Sequence, residues 1–194
     1  MHFSRYFLAL AIAGGALTAC GSDSTDSSPS SSAGSLQLPP TTNGTDVEAW
    51  LAKGYYEKWA CETSSHPQIK VSPHGQNRIC SNDAIVGFTG AIGAERPKGS
   101  AAVKELYDDN AKLVGYAVSV KLADKSDGGA NWYWYERVPL TSPAPHDAKG
   151  VVADGPGNAG PAKGICVNCH TGAGSDADMH NVNHSSDYVY DVIN

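Results

Sequence analysis

The chain has 194 residues, with 14 Lys and Arg against 20 Asp and Glu, a formal net charge of −6 when histidines are neutral. An acidic balance with no basic block and no Arg/Lys-rich helix argues against nucleic acid as a partner. The chain has no internal repeat.

The N-terminus carries Arg5, then the apolar run "YFLALAIAGGALTA", ending at Cys20. This is the layout of a bacterial secretory signal over residues 1–19, and the run is too short for a lasting membrane span. Its end, "LTAC", resembles a lipobox: Leu17, small residues, then the cysteine that is acylated and becomes the new N-terminus. An ordinary cleaved signal with a chance cysteine is the competing reading. Stable anchoring takes more than one acyl chain. Gly21 and Ser22 follow Cys20 with no aspartate directly after it. By resemblance to enteric lipoproteins, the expected location is the cell envelope, lipid-anchored at the periplasmic face of the outer membrane.

Residues 20–45 are rich in Ser, Thr, Asp, Gly and Pro and nearly free of large apolar side chains. Such a stretch buries too little surface to offset its ordering entropy and reads as a flexible tether. Residues 46–194 are long enough for one domain with its own core. Its opening, "DVEAWLAKGYYEKW", sets Val47, Trp50, Leu51, Gly54 and Tyr55 at helical spacing. The pattern predicts an amphipathic helix with Asp46 as N-cap. Cys61 and Cys80 follow. In an oxidising compartment they are expected to form a disulfide, stabilising by about 3 kcal/mol in the chain-entropy model; two buried free thiols are the alternative.

Three strands come next. "SAAVKELY", residues 100–107, is the first. "LVGYAVSVKL", residues 113–122, alternates, with Val114, Tyr116, Val118, Val120 and Leu122 on one side and Leu113, Gly115, Ala117, Ser119 and Lys121 on the other. "NWYWYERV", residues 131–138, sets Trp132 and Trp134 against Tyr133 and Tyr135. The polar, Gly-rich "ADKSDGGA" between the last two suits a hairpin. Together they predict an antiparallel meander with one packed face and one more mixed face. In the first strand, alternation places Lys104 with Ala102 and Leu106, and Glu105 on the opposite side as an exposed neighbour. Lys104 is then either a solvated strand lysine or a group that serves something inside. Residues 141–164 read as a Pro/Gly-rich loop, and "SSDYVYDVIN" as a short closing helix or strand.

Cys166-Val167-Asn168-Cys169-His170 lies just before that tail. A structural zinc site would want a fourth ligand and usually a second close pair. A thioredoxin-like redox pair would want a βαβ context. A third disulfide leaves His170 unexplained. Covalent haem c fits best: residues i, i+3 and i+4 share one face of a helical turn. Two sulfurs can then join the haem vinyl groups while the imidazole binds iron, and C-x-x-C-H reads as c-type haem attachment.

The blocks "RPKGSAAVKELYD", "GYAVSVKL", "GGANWYWYE", "CVNCH" and "SDYVY", in that order over residues 46–194, resemble the cytochrome P-460 family and its relative cytochrome c′-β. The resemblance implies an α+β fold: a mostly antiparallel sheet packed with a few helices, one haem c near the C-terminus, and a homodimer. It implies a five-coordinate haem with His170 as the axial ligand, and a small cytochrome or similar external electron acceptor. It places Lys104 where cytochrome P-460 has the lysine cross-linked to the porphyrin. Catalytic members, which oxidise hydroxylamine or NO, carry a distal carboxylate; gas binders resemble a phenylalanine cap. Phe88 is the only phenylalanine after the signal. Polar candidates follow the haem motif in "TGAGSDADMHNVNHSSD": Asp176 and Asp178 as distal carboxylates, with His180, His184 and Asp187 beside them. His66 and His74 read as surface or structural histidines. Two alternatives stay open. One is a non-catalytic NO-binding protein of the c′-β kind. The other is a six-coordinate electron carrier using Met179, His180 or His184 as a second iron ligand.

Overall fold

The computed structural model describes residues 37–68, 74–91, 93–173 and 186–190. The expected signal, Cys20, Asp176, Asp178, Met179, His180 and His184 lie outside the described residues. Among the described residues no helix is long and apolar enough to cross a membrane.

Helix α1 (Gly44–Leu51) starts earlier than its apolar spacing suggests. Asn43, not Asp46, is the N-cap: it is extended, and its side chain accepts from the Asp46 amide at 3.0 Å. Asp46 instead sits in the first turn, where its carboxylate faces the positive end of the helix. The helix also stops at Leu51 rather than running on to Trp59. Gly54 adopts φ 64°, a left-handed conformation that interrupts the helical path, and a 3₁₀ turn over Tyr55–Lys58 follows. Before the helix, the chain already packs against it: the Trp50 indole N–H donates to the Gln37 carbonyl at 3.0 Å.

Six strands form one antiparallel sheet in sequence order: β1 (Ala60–Cys61), β2 (Gln76–Ser81), β3 (Ala101–Tyr107), β4 (Leu113–Lys121), β5 (Trp132–Arg137) and β6 (Val151–Pro156). A short helix α2 (Asp83–Val86) follows β2. The expected three-strand meander is the centre of this sheet. β6 arises inside the segment expected to be loop, because pairing with β5 satisfies its backbone although it ends in Gly155 and Pro156. Cys61 and Cys80 stand directly opposite each other in β1 and β2, with Cα atoms 3.9 Å apart, and are joined as a disulfide.

Both sheet faces are covered, where one packed face and one more mixed face were expected. One packs on α1 and the 3₁₀ turn through Val47, Trp50, Tyr56, Val103, Val118 and Tyr133. The other packs on the C-terminal segment through Ala102, Trp132, Trp134, Ala153, Val167 and Tyr188. Glu105 is on the helix side and is buried, not exposed. Arg78 Nε lies 2.6 Å from its Oε2, and the Tyr56 hydroxyl donates to its Oε1 at 2.8 Å. Burial alone would raise the Glu105 carboxyl, but the hydrogen bonds from Arg78, Tyr107 and Tyr56 win and hold it below its ordinary range.

Candidate functional site

Strand register builds the floor of a cleft on the C-terminal face. Ile79, Lys104, Ala117 and Glu136 are successive partners across β2, β3, β4 and β5. The adjacent row is Ser81, Ala102, Ser119 and Trp134. Ala102, Ala117 and Ser119 are small, so the larger side chains beside them frame a hollow. Lys104 and Glu136 are two strands apart, or about 10 Å between backbones, with Ala117 between them. The cleft measures about 620 Å³ including its open mouth.

The opposite wall is a π-helical turn (Ala162–Val167) running into α3 (Asn168–His170). Val167 brings it against the sheet side of the fold, and two glycines permit that approach. A Cβ on Gly157 would stand 2.1 Å from the Gly129 carbonyl oxygen and 2.7 Å from Val167 Cγ2. A Cβ on Gly129, at φ +89°, would stand 2.6 Å from Val167 Cγ1. With the turn seated, Cys166, Cys169 and His170 all line the same cleft as Lys104, Glu136 and Trp134.

His170 is held on three sides. Its ring centroid lies 4.5 Å from that of Trp134 and 5.1 Å from that of Tyr190. Its Nδ1 lies 2.7 Å from the Tyr188 carbonyl oxygen. A carbonyl only accepts, so Nδ1 carries the proton and Nε2 presents a lone pair. Nε2 has no hydrogen-bond partner among the described residues. Burial, followed by the nearby Lys104 charge, brings the His170 pKa down to about 3, so the ring is neutral. Tyr190 closes the far side, its hydroxyl donating to the Cys169 carbonyl at 2.8 Å.

Both cysteines are free thiols. Burial, with the Glu136 charge behind it, pushes Cys166 up to about 12. Burial also raises Cys169, against the opposing pull of the Lys104 ammonium. Neither is the low-pKa thiolate of a redox nucleophile. Among the described residues no three His, Cys, Asp or Glu side chains converge to hold a bare metal ion. The donor set suits a group attached through sulfur and ligated by one imidazole better than a metal cage.

Sequence reasoning missed Glu136, which is 3% exposed and whose Oε1 lies 3.0 Å from His74 Nδ1. The signal was present: Glu136 continues the alternation of Trp132 and Trp134. His74 is a hydrogen-bonded histidine, as one of its two expected readings had it, and it also lines the cleft. His66 does pair structurally, with Glu62 at 3.1 Å. Phe88 does not line the cleft; its ring lies 5.0 Å from the Arg96 guanidinium. Asp187 is bound elsewhere, in a buried ion pair with Lys121 at 2.5 Å. Trp134 is buried in the cleft wall with its indole N–H unpartnered. No family model matches the chain, and no curated protein matches it.

Proposed function

We propose that the chain is an exported c-type cytochrome of the cytochrome P-460 type. A haem c would be attached through Cys166 and Cys169 and ligated by His170, and the protein would bind and oxidise hydroxylamine or NO. The observation that carries this reading is the convergence of Cys166, Cys169 and His170 on the cleft that Lys104 also lines. The residues present fit the group. The cleft is flanked by apolar and aromatic side chains, the imidazole is neutral, and the orphan Trp134 indole offers a donor.

Bound haem would supply a redox-active iron with one position open to a small nitrogen ligand. Everything else falls to the chain. Cys166 and Cys169 anchor, the first buried and the second half-buried, which limits water at the attachment points. Trp134, Tyr190 and the Tyr188 carbonyl orient His170. Glu136 is a further carboxylate beside the candidates Asp176 and Asp178: it accepts a proton from the substrate, with His74 hydrogen-bonded behind it. Lys104 stands at the cleft edge, where the family resemblance implies a cross-link. Electrons leave to an external acceptor such as a small cytochrome. The signal, the lipid on Cys20, the tether and the homodimer belong to the same reading.

A buried carboxylate backed by a histidine favours the catalytic reading over the gas-binding one, since a gas binder needs no proton acceptor. Mass spectrometry of protein matured in an exporting host tests the proposal. The expected result is polypeptide plus one haem, with Cys166 and Cys169 resistant to alkylation. Colourless protein with both thiols alkylatable rejects it.

A further inference from the structure

Asp187 and Tyr188 have φ of 49° and 67°. Left-handed backbone at two successive non-glycine residues costs of order 1–3 kcal/mol each and persists only where surroundings over-determine it. Here the determinant is the Asp187 carboxylate, 2% exposed. Its Oδ2 accepts from Lys121 Nζ at 2.5 Å and from the Arg96 amide at 2.7 Å. Its Oδ1 accepts from the Ser126 hydroxyl, which in turn accepts from the Trp132 indole N–H at 3.1 Å. Lys121 is itself 1% exposed and lies 5.6 Å from the Trp132 ring. The ion pair therefore ties the end of β4 and the β4–β5 connection to the residue just before Tyr188.

We infer that Asp187, clasped by Lys121 and Ser126, is the positioning residue for His170. The clasp holds the strained turn at Asp187 and Tyr188, and that turn points the Tyr188 carbonyl at His170 Nδ1. The carbonyl in turn sets the tautomer and the direction of Nε2. A ring nitrogen whose partner donates to a carbonyl is a more basic ligand. The inference rests on the haem reading only where it touches iron; the imidazole geometry stands without it.

The test uses the matured protein with ¹⁵N-labelled histidine and the variants Asp187→Asn, Lys121→Met and Ser126→Ala, the last being mild enough to fold if the others do not. Long-range ¹H–¹⁵N spectra report which nitrogen of His170 carries the proton, whatever the cleft holds. The wild type should show a protected Nδ1–H, and each variant should lose its protection or show mixed tautomers. Unchanged His170 signals in Ser126→Ala and in whichever other variants fold overturn the inference. Protein mass separates the two readings: absence of haem removes the proposed function but leaves the tautomer result decisive. Where haem is present, the reduction potential adds a sign test. Loss of positioning raises it in both Asp187→Asn and Lys121→Met. A simple field effect shifts the two in opposite directions, and that outcome also overturns the inference.

Discussion

Glu136 Oε1 and His74 Nδ1 lie 3.0 Å apart, joining the strand β5 to a residue 62 positions earlier in the chain at the wall of the cleft. A carboxylate this buried needs a partner, and His74 supplies one. Glu136→Gln removes the proton acceptor while keeping the shape. Turnover of hydroxylamine should fall by about 10²–10⁴-fold, with the haem content of the purified protein unchanged. His74→Ala, which removes only the partner of Glu136, should cost less. Steady-state kinetics on haem-quantified samples check both; near wild-type turnover in Glu136→Gln would remove it from the chemistry.

Cys166 and Cys169 line the cleft together, so replacing both with Ala should abolish covalent attachment. The pyridine haemochrome of denatured, extracted protein should then show no residual bound haem. Cys169→Ala alone should leave one thioether and an asymmetric spectrum.

Lys104 shares its row with Ile79, Ala117 and Glu136. Lys104→Met should leave haem mass in place and move the reduced-protein spectrum towards that of an ordinary high-spin c-type haem. Peptide mapping of the wild type should find Lys104 joined to the porphyrin. An unaltered spectrum and an unmodified Lys104 peptide would falsify the cross-link.

The Arg78–Glu105 pair lies behind the sheet, away from the cleft. Glu105 is buried but Arg78 is partly exposed, so Glu105→Gln, which weakens the charge-assisted hydrogen bonds from Arg78, Tyr107 and Tyr56, should lower stability by about 1.5–3 kcal/mol at neutral pH. The Glu105 carboxyl sits below its ordinary value of 4.5 in the folded state. A depressed carboxylate stabilises above its unfolded pKa and loses that contribution as pH falls through the folded one. Denaturant midpoints should therefore converge for wild type and variant as the pH drops below 4.5. A gap that holds constant into acid would show that the charge is not the source.

Gly157 has no room for a methyl group beneath Gly129 and Val167. Gly157→Ala should destabilise by about 1–3 kcal/mol through overpacking. It should also disturb the seating of the Cys166–His170 turn, read as faster alkylation of any unmodified thiol. Thermal unfolding with parallel alkylation rates measures both effects.

Alternation within single strands was legible without coordinates. It separated Trp132 and Trp134 from Tyr133 and Tyr135, and it put Lys104 beside Ala102 and Leu106, because a strand has a period of two whatever it pairs with. The central strands and the pairing of Cys61 with Cys80 were likewise readable from local pattern and cysteine arithmetic, whereas the α+β class came from the family resemblance. Helix length was misread because a single left-handed Gly54 outweighs an apolar stripe. β6 was missed because a segment ending in Gly155 and Pro156 becomes a strand only when a neighbour supplies its hydrogen bonds. Glu105 looked exposed because no local signal announces Arg78 and Tyr56 arriving from distant segments.

The site divides along the same line. The spacing of Cys166, Cys169 and His170 is a property of adjacent residues, so the sequence by itself states that they share a face. Register alone decided that Glu136 stands two strands from Lys104. Tertiary packing decided that His74 backs Glu136 and that Asp187 is spent on Lys121. Those relations join residues far apart in the chain, and a chain specifies such contacts only through the packing energy of the whole fold.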